Sequence, residues 1–260
     1  MSTPTSSTIR RSLAGVALTL AVTLASSLCA ADAVQLHNAI VADDLDAVRE
    51  AVRAAAFKLD ARIPAPAYPE GAPLITIAAR AASLKVLRYL IESGADLEAK
   101  TPVYETALML ACYWKEVAPE GEGRRDPSTE RHDRAARMLL DAGASPENTP
   151  GAYTALSYAA YDGRDALVRL LIERGARVNG DAANGTTEVN TPLMMAAITG
   201  ELGAVRELLR AGADARIRKA SDGKTALEFA RKYNQKQLLR PLGCALDLAP
   251  GESFAAKCAN

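Results

Sequence analysis

Four Gly-Ala pairs follow leucine-rich, helix-like runs: Gly94-Ala95, Gly143-Ala144, Gly175-Ala176 and Gly212-Ala213. The runs before them are VLRYLIES, RAARMLLDA, ALVRLLIER and AVRELLRA. Upstream of each run lies a shorter segment with paired small residues: Ala78-Ala79, Ala111-Cys112, Ala159-Ala160 and Ala196-Ala197. A turn precedes each short segment, at Pro73-Leu74, Thr106-Ala107, Thr154-Ala155 and Thr191-Pro192, and a fifth turn stands at Thr225-Ala226. The order is turn, helix, tight turn, helix, Gly-Ala and loop, with a period of about 33 residues. A unit this small cannot bury its own apolar face, so neighbouring units must stack. That excludes a fold built around one central core.

The local chemistry agrees with stacked helix pairs. Small pairs let two helices approach closely. A glycine after the second helix suits a left-handed cap, where a Cβ would cost energy. Thr191-Pro192 places a capping hydroxyl before a proline at the first helical position, and the Thr-Ala turns keep the cap but lose the preset φ. The run from Thr191 to Gly200 (TPLMMAAITG) and that from Val205 to Asp214 (VRELLRAGAD) resemble the ankyrin repeat, G-x-T-P-L-H-x-A-A-x-x-G followed by V-x-x-L-L-x-x-G-A-D. Asp222 to Leu227 (DGKTAL) opens a further copy. The resemblance spans residues 35–242 and implies an all-α ankyrin repeat solenoid of about six helix-turn-helix units joined by short β-hairpin loops.

Unit I, from Leu36 to about Arg53, is degenerate and reads as an N-terminal cap. Units II to V span Ala72–Lys100, Tyr104–Asn148, Gly151–Gly180 and Asn190–Arg218. Unit VI, Asp222 to Leu242, lacks a Gly-Ala end and is more polar, as a terminal unit requires. Two segments break the period: Lys115 to Glu130 (KEVAPEGEGRRDPSTE) and Asn179 to Val189 (NGDAANGTTEV). Both read as surface loops, with contact to a partner as the alternative.

Arg10 and Arg11 precede an uncharged run from Leu13 to Leu28, and small residues follow at Cys29-Ala30-Ala31-Asp32-Ala33. A positive start, a short apolar stretch and a small-residue site are the marks of a secretory signal. The apolar run is shorter than the roughly 20 residues a spanning helix needs. Residues 1–33 are therefore expected to be a leader, with the mature chain beginning near Asp32 or Val34. Residues 34–242 form the repeat domain, and 243–260 a tail. The expected location is the periplasm, in line with a resemblance to exported bacterial ankyrin proteins.

The chain carries 31 basic and 31 acidic residues, which argues against a nucleic-acid partner held by bulk charge. His37 and His132 fall in different units. His132-Asp133 looks like half of an acid–base pair, but adjacent helical residues do not face each other. No metalloprotease, thiol-redox, nucleophile-elbow or phosphate-loop motif occurs. Asn179-Gly180-Asp181 lacks calcium-loop spacing and reads as a turn. The reading is a non-enzyme with no cofactor and no metal. Cys112 takes a small-pair position and reads as an inert buried thiol. Cys244 and Cys258 are expected to form a disulfide closing the tail of an exported protein.

The resemblance implies that a concave surface binds, built from hairpin tips and the two positions after each small pair. Here those positions hold Arg80, Tyr113, Trp114, Tyr161, Asp162, Ile198, Lys232 and Tyr233, and the hairpins add Tyr104, Glu105, Tyr153 and Asn190. Aromatics are only 5% of the chain, yet its one Trp and several of its Tyr fall on this face. Trp, Tyr and Arg dominate binding hot spots. The expectation is a monomeric periplasmic module that scaffolds, protects or assists another protein, with stress defence as one setting. The alternative is an immunity protein that blocks a toxic enzyme. Neither nucleic acid nor, after leader removal, membrane is expected as a partner.

Overall fold

The computed structural model describes residues 32–54, 57–113, 127–148, 151–249 and 252–258. Residues 1–31 of the expected leader, Trp114 and most of the first insertion lie outside them.

Six helix pairs stack in chain order. Unit I holds α1 (32–41) and α2 (Leu45–Arg53). Unit II holds α3 (Leu74–Arg80) and α4 (Leu84–Glu92). Unit III holds α5 (Ala107–Cys112) and α6 (Pro127–Asp141). Unit IV holds α7 (Ala155–Tyr161) and α8 (Asp165–Glu173). Unit V holds α9 (Pro192–Thr199) and α10 (Leu202–Arg210), and unit VI α11 (Ala226–Lys232) and α12 (Lys236–Leu246). A short α13 (Phe254–Lys257) ends the described chain.

First helices form one layer, with α3 on α5, α5 on α7, α7 on α9 and α9 on α11. Second helices form another, with α2 on α4, α4 on α6, α8 on α10 and α10 on α12. The core is the seam between the layers. The small pairs Ala78-Ala79, Ala111-Cys112, Ala159-Ala160 and Ala196-Ala197 are fully buried there, facing Val86, Leu139, Val168 and Val205 in a continuous cluster.

Threonine hydroxyls start the first helices. Thr106, Thr154, Thr191 and Thr225 accept from the N–H groups of Met109, Ser157, Met194 and Glu228. This satisfies one otherwise orphaned donor per helix. The second helices of units II to V end in a double turn. Ala95 N–H reaches the Leu90 carbonyl and Gly94 N–H that of Ile91, with the same pair repeated at Ala144, Ala176 and Ala213. This Schellman geometry demands a left-handed residue, and Gly94 stands at φ +85°. A Cβ at Gly94 would meet open space, whereas one at Gly163 (φ +66°) would lie 2.2 Å from Glu201 Oε2. Gly94→Ala should therefore cost about 1 kcal/mol, the left-handed penalty alone. Gly163→Ala should cost clearly more, read as a larger fall in the urea midpoint. Equal costs would mean that Glu201 moves aside freely.

Three elements differ from the sequence reading. Helix α6 begins at Pro127, so the last residues of the segment assigned to a loop, Pro127 to Glu130, are helical. Proline is tolerated there because the first helical N–H groups lack an internal acceptor. Helix α12 continues through Pro241 to Leu246, past the expected boundary at Leu242. Its buried stripe of Leu238, Leu242 and Ala245 runs on, and no Gly-Ala pair stops it. Among the described residues, only one inter-unit loop forms an antiparallel two-stranded hairpin, β1 (Arg62–Ala65) against β2 (Tyr68–Pro73), with a register shift between Ile63 and Ala65. In the second insertion, Asn184 (φ +51°) and Gly185 (φ +76°) make a tight turn closed by Ala183 and Thr186. It leads into β3 (Thr186–Thr187), which pairs in parallel with β4 (Arg218–Lys219) of the next loop.

A further ladder ties successive loops. The Asp60 carboxylate accepts from Asp96 N–H (3.1 Å), and that of Glu98 from Ser145 N–H (2.8 Å). Glu147 accepts from Arg177 N–H (2.8 Å), and the Asn179 side-chain oxygen from Asp214 N–H (2.9 Å). From Glu98 onward the acceptor is four residues after the glycine of its unit, and every donor is two after the glycine of the next. Unit V breaks the series: Arg216 stands at the acceptor position and donates to the Leu246 and Leu248 carbonyls. Nearby, Cys244 and Cys258 are joined by a disulfide, Cα atoms 5.9 Å apart, and Phe254 of α13 is buried near α10.

Candidate protein-binding surface

Helix α5 is short and stops before Tyr113, whose backbone is extended, while α7 carries Tyr158 and ends at Tyr161. Stacking of α5 on α7 brings these rings together. Tyr113 meets Tyr158 edge-on at 5.2 Å between centroids and lies 6.4 Å from Tyr161. Tyr153, in the loop before α7, meets Tyr158 edge-on at 6.2 Å. Such edge contacts place the positive rim of one ring on the negative face of another.

The hairpin before unit II adds Tyr68, whose hydroxyl donates to Glu105 Oε2. Tyr158 donates to Glu105 Oε1 at 2.9 Å, so one carboxylate joins units II, III and IV. Arg80 closes the row, with its guanidinium 5.9 Å over the Tyr68 ring and its Nη1 3.4 Å from that hydroxyl. Burial first, and then the Glu105 carboxylate, push the pKa of both tyrosines well above the ordinary range. Both hydroxyls stay protonated and act as donors.

Of the residues singled out from the sequence, Arg80, Tyr113, Tyr153 and Tyr161 come together around this row. Tyr104 stands at its edge, 63% exposed at φ +64°. Its backbone is pinned: its N–H reaches the Thr101 carbonyl, and its own carbonyl accepts from Asn148 Nδ2 at 2.8 Å. Asp162 caps α7 and is half-buried, Ile198 is half-buried on α9, and Asn190 is buried. Lys232 and Tyr233 are exposed at the end of α11, where the ammonium lies 5.3 Å over the Tyr233 ring. Among the described residues, no ring contact or hydrogen bond joins them to the unit II–IV row. Tyr68 and Tyr158 complete the row without belonging to the register that the repeat assigns to the binding face. Tyr158 precedes the small pair at the register of Ile77, Leu110, Met195 and Phe229, which reads as core.

Below this surface, three second-helix starts reach back to the first helix of the preceding unit. His132 is buried, with Nε2 3.0 Å from the Arg80 carbonyl. Arg164 Nη1 donates to the Ala111 carbonyl at 3.1 Å, and Gln235 Nε2 to that of Ile198 at 3.1 Å. Arg164 also pairs with Asp133 and donates to the Thr129 carbonyl. His132 and Asp133 thus serve different neighbours, and the arrangement holds α6 in place beyond the insertion. Among the described residues, no group of three or more His, Cys, Asp or Glu could hold a metal ion, and no helix is long and apolar enough to cross a membrane.

The ankyrin repeat family model matches residues 72–102, 153–183 and 190–220. The chain carries ankyrin repeats. The matched stretches correspond to units II, IV and V, while unit III, interrupted by its insertion, and the terminal units lie outside them. Among curated proteins, the chain is 36% identical over 125 residues to "Ankyrin repeat and SOCS box protein 16" of Mus musculus. That alignment covers 48% of this chain and 26% of the mouse protein, so the chain spans about a quarter of this relative's length. Ankyrin repeats are a protein–protein interaction module.

Proposed function

We propose that this ankyrin repeat array is an exported, non-catalytic module that binds another protein through the row formed by Arg80, Tyr104, Tyr113, Tyr153 and Tyr161, and that it scaffolds, protects or assists that partner in the periplasm. The observation that carries the reading is the Glu105-centred row itself. Its inner hydroxyls are locked by hydrogen bonds, while its outer rings remain partly open to solvent. Rigid aromatic anchors lose little entropy when a partner packs on them. Ala33 is buried in the core cluster, which favours leader cleavage before Asp32 over cleavage before Val34.

The test is recovery of the protein and its bound partner from periplasmic extract, with N-terminal sequencing. The mature protein should begin at Asp32, and Tyr104→Ala/Tyr161→Ala should weaken partner binding by at least about thirtyfold. Retained affinity in that variant, or full-length chain in the membrane fraction, would count against the proposal. A partner that proves to be a toxic enzyme silenced by the complex would turn assistance into immunity.

A further inference from the structure

Aligning the second helices on their glycine ends or N-cap positions places an arginine at one register in all six units: Arg49, Arg88, Arg137, Arg169, Arg206 and Arg240. The register lies on the solvent side, away from the buried Val86, Leu87 and Leu90 side of α4 and its equivalents. Five of the six are exposed, and Arg49 is half-buried with its guanidinium 5.4 Å over the Tyr89 ring. Arg169 pairs with Glu207 at 3.3 Å. The other four make no hydrogen bond or ion pair among the described residues. The chain as a whole has no net charge, so the column is not the by-product of a basic composition.

We propose that this arginine column binds an extended acidic peptide segment bearing a carboxylate at every third residue. Packed helices lie about 8–10 Å apart. A polyproline II strand turns once every three residues and rises about 9 Å in doing so. Carboxylates at that spacing lie on one side and meet successive guanidinium groups, which accept carboxylates in a two-pronged fit. One helical turn away, Lys85 and Arg134 on one side and Arg53 and Arg210 on the other are also basic. Glu92, Asp141 and Glu173 stand one helical turn further along α4, α6 and α8. A broad anionic surface such as a bilayer would press against these carboxylates, whereas a single strand lies clear of them. This surface is formed by second helices and is separate from the tyrosine row on the first-helix side.

The test is fluorescence anisotropy of the purified chain with labelled (Glu-Pro-Pro)6 and, at equal composition, (Glu-Glu-Pro-Pro-Pro-Pro)3. The first peptide should bind at least about fivefold more tightly, and salt should weaken it steeply. Arg88→Gln/Arg137→Gln/Arg206→Gln should lose about tenfold in affinity with an unchanged melting curve. Equal binding of the two peptides would reduce the column to bulk charge and overturn the proposal. So would a triple variant that binds as well as the parent, or binding to phosphatidylserine vesicles with none to the peptide. The partner pull-down reads the tyrosine row and this titration reads the column, so either can fail alone.

Discussion

Arg164→Met should lower the free energy of unfolding by about 3 kcal/mol, the low end for breaking a buried ion pair. The low end applies because the Arg164 side chain is 6% exposed but Asp133 is 33% exposed, so water can take over part of the carboxylate's solvation. The substitution also removes one donor from each of the Ala111 and Thr129 carbonyls. A double-mutant cycle with Asp133→Asn should return a coupling of about 1–3 kcal/mol. Cys112 supplies a second readout. Burial pushes its thiol up to about 12, against the opposing pull of Arg164, so it should resist alkylation at pH 8 in the native protein. In Arg164→Met it should label faster, because local opening becomes more frequent. A variant within 0.5 kcal/mol of the parent, or a Cys112 that labels at once in the parent, would sink this account of the unit III–IV junction.

Cys244→Ser should cost about 3 kcal/mol, because the bridge closes a loop of 14-residue separation that the unfolded chain would otherwise explore. The loss should concentrate at the C-terminal end. Unit VI and α13 would exchange amide protons before the middle of the stack does, since each unit leans mainly on its neighbours. Reductant should destabilise the parent by a similar amount and leave Cys244→Ser unchanged. Thiol counting on the denatured, oxidised chain lacking residues 1–31 should find Cys112 alone. Three free thiols there would reject the bridge.

The architecture is legible in the sequence because stacking repeats its demands. Thr154 and Thr191 cap where a hydroxyl precedes an apolar run, and Gly94 and Gly212 turn where no Cβ is tolerated. Each of these signals is local. The binding surface is less legible because its organising group is not local. Glu105 reads as one hairpin residue among several, and its partners Tyr68 and Tyr158 come from two other units. Tyr158 is further disguised by holding a position that four other units fill with core residues. Arg164 occupies the register of Ser83, His132, Glu201 and Gln235, a set with no common chemistry. What they share is a place beside the preceding first helix, and that appears only once the units are stacked. The start of α6 at Pro127 was hidden because Pro, Ser and Thr next to a charged, glycine-containing stretch look like loop until a packed helix follows.

The loop ladder sets the last junction of the described stack apart from the others. From Asp60 to Asn179, every link of the ladder is an acceptor offered forward to a backbone N–H, so each unit leaves a socket for its successor. Arg216 replaces the socket with a plug, and the plug is already seated in the carbonyls of the chain's own tail. The junction between units V and VI is thus closed by a side chain reaching forward into the tail, where the four earlier ones are closed by a backbone N–H reaching back. Among the described residues this last junction has reversed polarity, and it is fastened through the tail rather than through a loop backbone N–H.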